Sequence, residues 1–327
     1  MIMMQFDRIA LGRQAKELGF VRDTFEKVCR LADVLAFMES DALLADSLAL
    51  KGGTAINLTI FDLPRLSVDI DMDFSNNVPR EMMLQEREQI SNHINKYMAA
   101  SGYILSPKSK QYHALDSFVY EYVNAGGMKD NLKIEINYML RCHVLPVSRR
   151  NVVLPWADKN STVLCVDPIE IFSTKAVALL NRSAARDLYD MFNLQKTGLI
   201  DESQESLFKK CIMFYSAVGS ENEPEHFDFS KVGKISAQKI RTDLTPVLRR
   251  AEHFELKMAQ EEVENYLRRI LLPEGDLAFW EAFAKGEYRP ELLFDDAEIL
   301  ARIEKHPMAL WKCGKRTSGL WTQPADM

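Results

Sequence analysis

The sequence predicts an α+β protein: a sheet interleaved with helices over residues 1–166, then an all-helical part over 167–327. Two patterns predict it. Short runs that alternate apolar and polar residues, near 67–74, 103–105, 117–122, 133–138 and 162–166, have the period of strands. Beyond residue 167 apolar residues recur at three- and four-residue spacing, the period of helices. The change falls at Asp167-Pro168-Ile169-Glu170, which reads as N-cap, first helical residue and the returning glutamate of a capping box.

Taken in order, residues 15–46 place Phe25, Val28, Leu31, Ala32 and Leu35 at helical spacing with charges between them. A short apolar strand follows at 48–50, and Gly52-Gly53 marks a tight turn. Thr54 is placed to cap a short helix that Pro64 stops. In the strand at 67–74, Val68, Ile70 and Met72 share one face. Residues 79–101 read as a charged amphipathic helix, and Asn124-Ala125-Gly126-Gly127 turns the next two strands into a hairpin. Further helices are predicted over 168–182, 184–197, 203–218, 235–252, 257–270, 276–284 and 296–304.

A chain of 327 residues has room for two domains of about 150 residues each. Forty-one basic against 47 acidic residues give a net charge of -6, which excludes a polycation that coats nucleic acid. RNA contact would need a local patch. Lys231, Lys234, Lys239, Arg241, Arg249 and Arg250, with only Asp243 among them, form one candidate, and Lys312, Lys315 and Arg316 a weaker one. Five scattered cysteines without a Cys-x-x-Cys pair read as reduced thiols, and the dispersed histidines spell no zinc site. The start lacks a signal-peptide pattern, and no run approaches the ~18 apolar residues of a membrane span. The expected location is the cytoplasm, with no membrane partner. Gly-x-Ser-x-Gly, His-Glu-x-x-His and Gly-Lys-Ser/Thr are absent, which removes the commonest hydrolases.

Chemistry concentrates at Gly52-Gly53-Thr54, followed after fourteen residues by Asp69-Ile70-Asp71. Asp69 and Asp71, two apart on a strand, leave one face about 6.6 Å from each other along it. Asp73 continues the row. Such acids repel unless a cation neutralises them, and magnesium prefers hard carboxylates together with substrate phosphates. The glycines let backbone N–H groups and a helix N-terminus approach a triphosphate. A solvated strand edge beside an ordinary turn is the plain alternative.

These residues carry a resemblance. KGGTAINL and RLSVDIDMDF resemble the signature of the DNA polymerase β-like nucleotidyltransferases. The form Arg65-x-Ser67-x-Asp69-Ile70-Asp71 resembles the AbiEii/AbiGii toxin family, the toxins of type IV abortive-infection toxin–antitoxin pairs. KAVALLNRSAARDLYD (175–190) is similar to that family's downstream helical motif, and YRPELLFDD with HPMALWK to the C-terminal end of its larger members.

The resemblance implies a nucleotidyltransferase-like mixed sheet in an N-terminal metal- and nucleotide-binding domain, with a helical second domain. It implies that Asp69 and Asp71 hold a pair of Mg2+ ions and that a third carboxylate stands on a neighbouring strand. Glu135 is the candidate, since Lys133, Glu135 and Asn137 share a polar face. Gly52, Gly53, Thr54 and Lys175 would hold the triphosphate. Asp187 and Asp190, three apart on a helix, would position the nucleotide, the attacking group or a lysine, or else Asp190 pairs with Arg186 on the surface. The implied reaction moves a nucleoside monophosphate from a triphosphate to a hydroxyl of a tRNA 3′ end or a protein, with a cognate antitoxin as partner. A housekeeping or antibiotic-modifying nucleotidyltransferase, and an idle module that only binds nucleotide or antitoxin, are the rivals.

Overall fold

In the computed structural model, residues 6–153, 161–219, 226–272 and 277–317 are described; Asp276 and the side chain of Arg316, named above, lie outside them. The chain forms two compact units. The first comprises Met1–Arg141, Val147–Asp167 and Ile240–Phe254, and the second Cys142–Pro146, Pro168–Lys239 and Glu255–Met327.

The alternating runs of the first unit assemble into a sheet with eight strands among the described residues. They are β1 (Leu48–Lys51), β2 (Asp69–Phe74), β3 (Ile104–Leu105), β4 (Lys110–Gln111), β5 (Leu115–Val123), β6 (Lys129–Asn137), β7 (Ser148–Asn151) and β8 (Thr162–Cys165). Their order is β3-β5-β6-β2-β1-β8-β7, with β4 on β5. The sheet is mixed: β2 runs parallel to β6 and β1 to β8, and the remaining pairs are antiparallel. Ile70 and Met72 of β2, Ile134 and Ile136 of β6 and all three apolar residues of β1 are buried, so the strands that bear the acids are fixed by core packing. The β5–β6 hairpin turns at Asn124, whose Oδ1 accepts from the amides of Gly126 and Met128. β4 and β7 escaped prediction because neither holds an apolar residue to alternate.

The helix predicted over 15–46 is three: α1 (Arg8–Leu18), α2 (Arg22–Ser40) and α3 (Ala42–Ser47). Gly19, at φ 80°, ends the first, and Asp41 caps the third through the amides of Leu43 and Leu44. The breaks hardly shift the apolar phase, so periodicity alone runs through them. Next come α4 (Gly52–Ala55), continued by a π turn at Ile56–Ile60, and α5 (Arg80–Ala100).

The second unit is helical: α6 (Pro168–Arg182), α7 (Ala185–Thr197), α8 (Glu205–Gly219), α9 (Ser230–Gly233), α10 (Ala237–Lys239), α11 (Leu256–Leu271), α12 (Leu277–Ala284), α13 (Ala297–Ile303) and α14 (Pro307–Thr317). Phe172, Phe208, Phe214 and Phe279 lie in its core. Glu170 closes no capping box. It is fully buried, accepts from the amides of Val144 and Leu145 at 3.0 and 2.8 Å and from the Tyr215 hydroxyl, and so binds the 142–146 segment to the helices.

The predicted helix over 235–252 does not form as one element. After α10 the chain makes a π turn at Ile240–Leu244 and a 3-10 turn at Thr245–Val247, where Pro246 cannot supply the N–H a helix needs. The Val247 carbonyl then accepts from the Leu66 amide. The basic patch read in that stretch is therefore not one helix face. Arg249 donates to the carbonyls of Asp62 and Leu63 and lies 5.3 Å over the Phe20 ring, while Lys239 of the second unit donates to the Ser183 carbonyl.

Candidate active site

The site grows from the junction of β1, α4 and β2. β1 and β2 are antiparallel neighbours, with Lys51 opposite Asp71, so the glycine turn emerges beside the aspartates. Gly52 sits at φ +65°, and a Cβ there would lie 2.7 Å from Asp71 Oδ2. Only glycine lets this backbone meet the carboxylate. A Cβ on Gly53 would come within 2.8 Å of Arg65 Nη2 and 2.9 Å of Ser67 Oγ. Thr54 caps no helix; it is buried within α4, and its hydroxyl donates to the Asp69 carbonyl, tying the turn to the first residue of β2. Asn57, fully buried, donates from Nδ2 to the Gly53 carbonyl at 2.7 Å and accepts the Arg65 amide at 3.2 Å. Arg65, 1% exposed, donates from Nη1 to the Leu66 carbonyl.

Across β2 and β6 the parallel register sets Asp69 opposite Lys133, Asp71 opposite Glu135 and Asp73 opposite Asn137. Glu135 thus falls on the strand beside the two aspartates, and its Oε2 lies 2.9 Å from Lys133 Nζ. Burial alone would lower the pKa of that ammonium, but the bond to Glu135 and the negative charges of Glu135, Asp69 and Asp71 leave it above the ordinary 10.5. Asp73 is buried and ion-paired with Lys51. Of the three acids in the row, Asp69 and Asp71 are half-buried, and Asp73 is buried against its lysine.

The second unit gathers the remaining predicted residues. Lys175 Nζ lies 2.8 Å from Asp187 Oδ1 and 3.2 Å from Asp190 Oδ2. Arg182 adds bonds of 3.0 and 2.8 Å to Asp187 Oδ2. Both aspartates are buried, which removes the reading of Asp190 as a solvated surface residue. Burial pushes the Asp187 pKa up, but the charges of Lys175 and Arg182 and their hydrogen bonds outweigh it and hold the carboxyl below its usual 3.8.

The family model of the nucleotidyl transferase AbiEii toxin, type IV toxin–antitoxin system, matches residues 34–285. The chain belongs to this family. It is a nucleotidyltransferase toxin of the type IV class. Among solved structures it is similar to MenT4, a nucleotidyltransferase toxin from Mycobacterium tuberculosis H37Rv, with TM-score 0.63 and 16% identity over 94% of this chain and 99% of that one. At that identity the likeness shows a shared fold. No curated protein matches the sequence.

Nucleotidyltransferases of such families generally use a divalent metal, and the donors here suit one. Asp69 and Asp71 offer hard oxygen ligands on one face, beside a turn whose Gly52 must lack a Cβ. Among the described residues no three His, Cys, Asp or Glu side chains are gathered closely enough to form a complete protein cage. Mg2+ does not demand one, since it is usually bound by one or two carboxylates plus waters and substrate phosphates. Asn57 and Lys51 were missed from sequence. A lone amide in the mostly apolar Ala55–Ile60 stretch, four residues after Gly53, was the available signal for Asn57.

Proposed function

We propose that the first unit binds a nucleoside triphosphate and Mg2+ and transfers the nucleoside monophosphate to an acceptor hydroxyl, on a tRNA 3′ end or on a protein. The observation that carries this reading is the close approach of Asp71 to Gly52, which brings a phosphate-cradling turn and a metal-binding carboxylate together. Asp69 and Asp71 would hold a pair of ions, and Glu135 would be the third carboxylate. Bound there, the metal supplies charge neutralisation of the attacking and leaving oxygens in an in-line displacement.

The chain's own residues do the rest. The backbone of Gly52 and Gly53 admits the phosphates. Thr54, Asn57 and Arg65 keep that turn in register with β2, so phosphates and carboxylates are presented together. Within the second unit, Asp187 and Asp190 hold the Lys175 ammonium in place as a point charge suited to a phosphate. The bond formed is acceptor oxygen to α-phosphorus, the bond broken is that to the leaving pyrophosphate, and the acceptor proton passes to solvent or a carboxylate.

As a type IV toxin the protein would act in the cytoplasm, arrest growth, and be countered by a cognate antitoxin in an abortive-infection response. Among the described residues no helix is long and apolar enough to cross a membrane. Incubation with each α-labelled triphosphate, Mg2+ and a cell extract, followed by separation of RNA from protein, tests the reading. Label is expected in one acceptor class from a preferred nucleotide. Label in neither class would refute the proposal, and label on a small aminoglycoside-like acceptor would favour the antibiotic-modifying rival.

A further inference from the structure

The two faces of the sheet in the first unit differ in chemistry. Ile70, Ile134, Phe118 and Tyr120 are buried on one face, while the residues that alternate with them are half-buried on the other. On that second face the register draws a row across four strands: Asp71 of β2, Glu135 of β6, Ser117 of β5 and Lys110 of β4. Three strand spacings set β4 about 14 Å from β2. The row ends at an edge of different charge. Residues 89–115 contain no acid, although the chain as a whole has a net charge of -6. Lys108, Lys110 and Tyr112 are exposed there, and Lys110 Nζ lies 5.9 Å from the centre of the Tyr112 ring. The backbone beneath them is held firmly. The Ser109 hydroxyl accepts from the Val119 amide and donates to the Val119 carbonyl, and Arg87 donates to the carbonyls of Tyr112 and His113. Both side chains of β4 are exposed, so its own core packing does not account for this order.

We propose that this edge is the acceptor subsite, shaped for the single-stranded end of an RNA. Lys108 and Lys110 meet backbone phosphates a few nucleotides before the terminus, and a base stacks on the Tyr112 ring. The terminal hydroxyl then reaches Asp69 and Asp71 across the half-buried row. Cations beside an exposed ring are how proteins hold single strands, and recognition of RNA centres on unpaired ends whose bases can stack on aromatic side chains. An acidic protein segment would meet the lysines but has no base for the tyrosine. The inference rests on the reading of Asp69 and Asp71 as the transfer site given above.

The test is fluorescence anisotropy of a short, unstructured RNA with a free 3′ hydroxyl and a 5′ dye, titrated with the full chain at stepped salt concentrations. Melting curves show that each variant is folded. Lys108→Ala combined with Lys110→Ala should lower the slope of log affinity against log salt by about 1.4, the share of two phosphates on a single strand. Tyr112→Leu should weaken binding about tenfold, the scale of one lost base stack, and leave the slope unchanged. Lys108→Arg with Lys110→Arg, and Tyr112→Phe, should bind as the parent does. Triphosphate binding, measured by equilibrium dialysis, should be the same in all of them. A parental slope in the double alanine variant, or parental affinity in Tyr112→Leu, overturns the inference. So does a parent that binds no RNA while label passes to protein, or a loss of triphosphate binding in the edge variants. Asp69→Asn separates the two levels: if it abolishes label transfer while the edge variants bind RNA like the parent, only the inference fails. If Asp69→Asn leaves transfer intact, the transfer site lies elsewhere, and the acceptor role of the edge falls with it.

Discussion

Gly52 shows how strictly a single position is specified in this fold. Alanine there would need a left-handed backbone, costing about 1–2 kcal/mol, and would press its methyl group against Asp71 Oδ2. Gly52→Ala is expected to melt a few degrees lower and to lose most transfer activity, because the carboxylate must move aside. Parallel measurement of melting temperature and label transfer checks this, and an alanine variant with parental transfer would show that the close approach has no catalytic role. Asn57 tests the support of the turn. Asn57→Ala removes its bond to the Gly53 carbonyl, which keeps the Ile56 amide, and its bond from the Arg65 amide, each worth about 0.5–1.5 kcal/mol. Calorimetry should find it clearly destabilised. Asp69, Asp71 and the glycines were legible in the sequence because i, i+2 geometry and a turn are local. Lys51–Asp73 and the Asn57 clamp were not, because strand register and the path of the 61–68 loop decide them.

At the scale of elements, α6 and α7 are joined through Lys175, Arg182, Asp187 and Asp190, and this cluster sets an acid response. Asp187 has a folded pKa below its unfolded value near 3.8, so its contribution is fully present above that value. It is lost as pH falls from 3.8 through the lower folded pKa. Asp187→Asn should therefore flatten the fall in stability below pH 3.8, measured by denaturant unfolding at stepped pH. An unaltered slope would show that the carboxyl titrates normally. At neutral pH the same variant is expected to lose about 3–5 kcal/mol, since Lys175 keeps only part of its buried compensation. The long helices and the β5–β6 hairpin followed from periodicity and turn chemistry. Glu170 did not, since its partners at Val144, Leu145 and Tyr215 are brought to it only by tertiary packing. The 235–252 stretch misled because its apolar spacing suits a helix while Pro246 and the bond from Leu66 to Val247 turn the chain elsewhere.

For the whole molecule, the match over residues 34–285 spans sequence from both units and makes the chain a nucleotidyltransferase toxin. All five cysteines are buried, and burial, then the charge of Glu26, pushes the Cys29 thiol up to about 12, while burial takes Cys165 to about 11. Thiol-specific alkylation of the native chain at about pH 8 is therefore expected to be slow and to become rapid on unfolding; fast native labelling would contradict the packing described. The central claim is that Asp69 and Asp71 carry the transfer reaction. It is tested most directly by pyrophosphate release and label transfer, side by side, for the parent, Asp69→Asn and Asp71→Asn, each shown to be folded by its melting curve. Transfer by the parent that vanishes in both variants, while each still unfolds cooperatively, is the predicted result. Near-parental transfer by either folded variant would contradict the account.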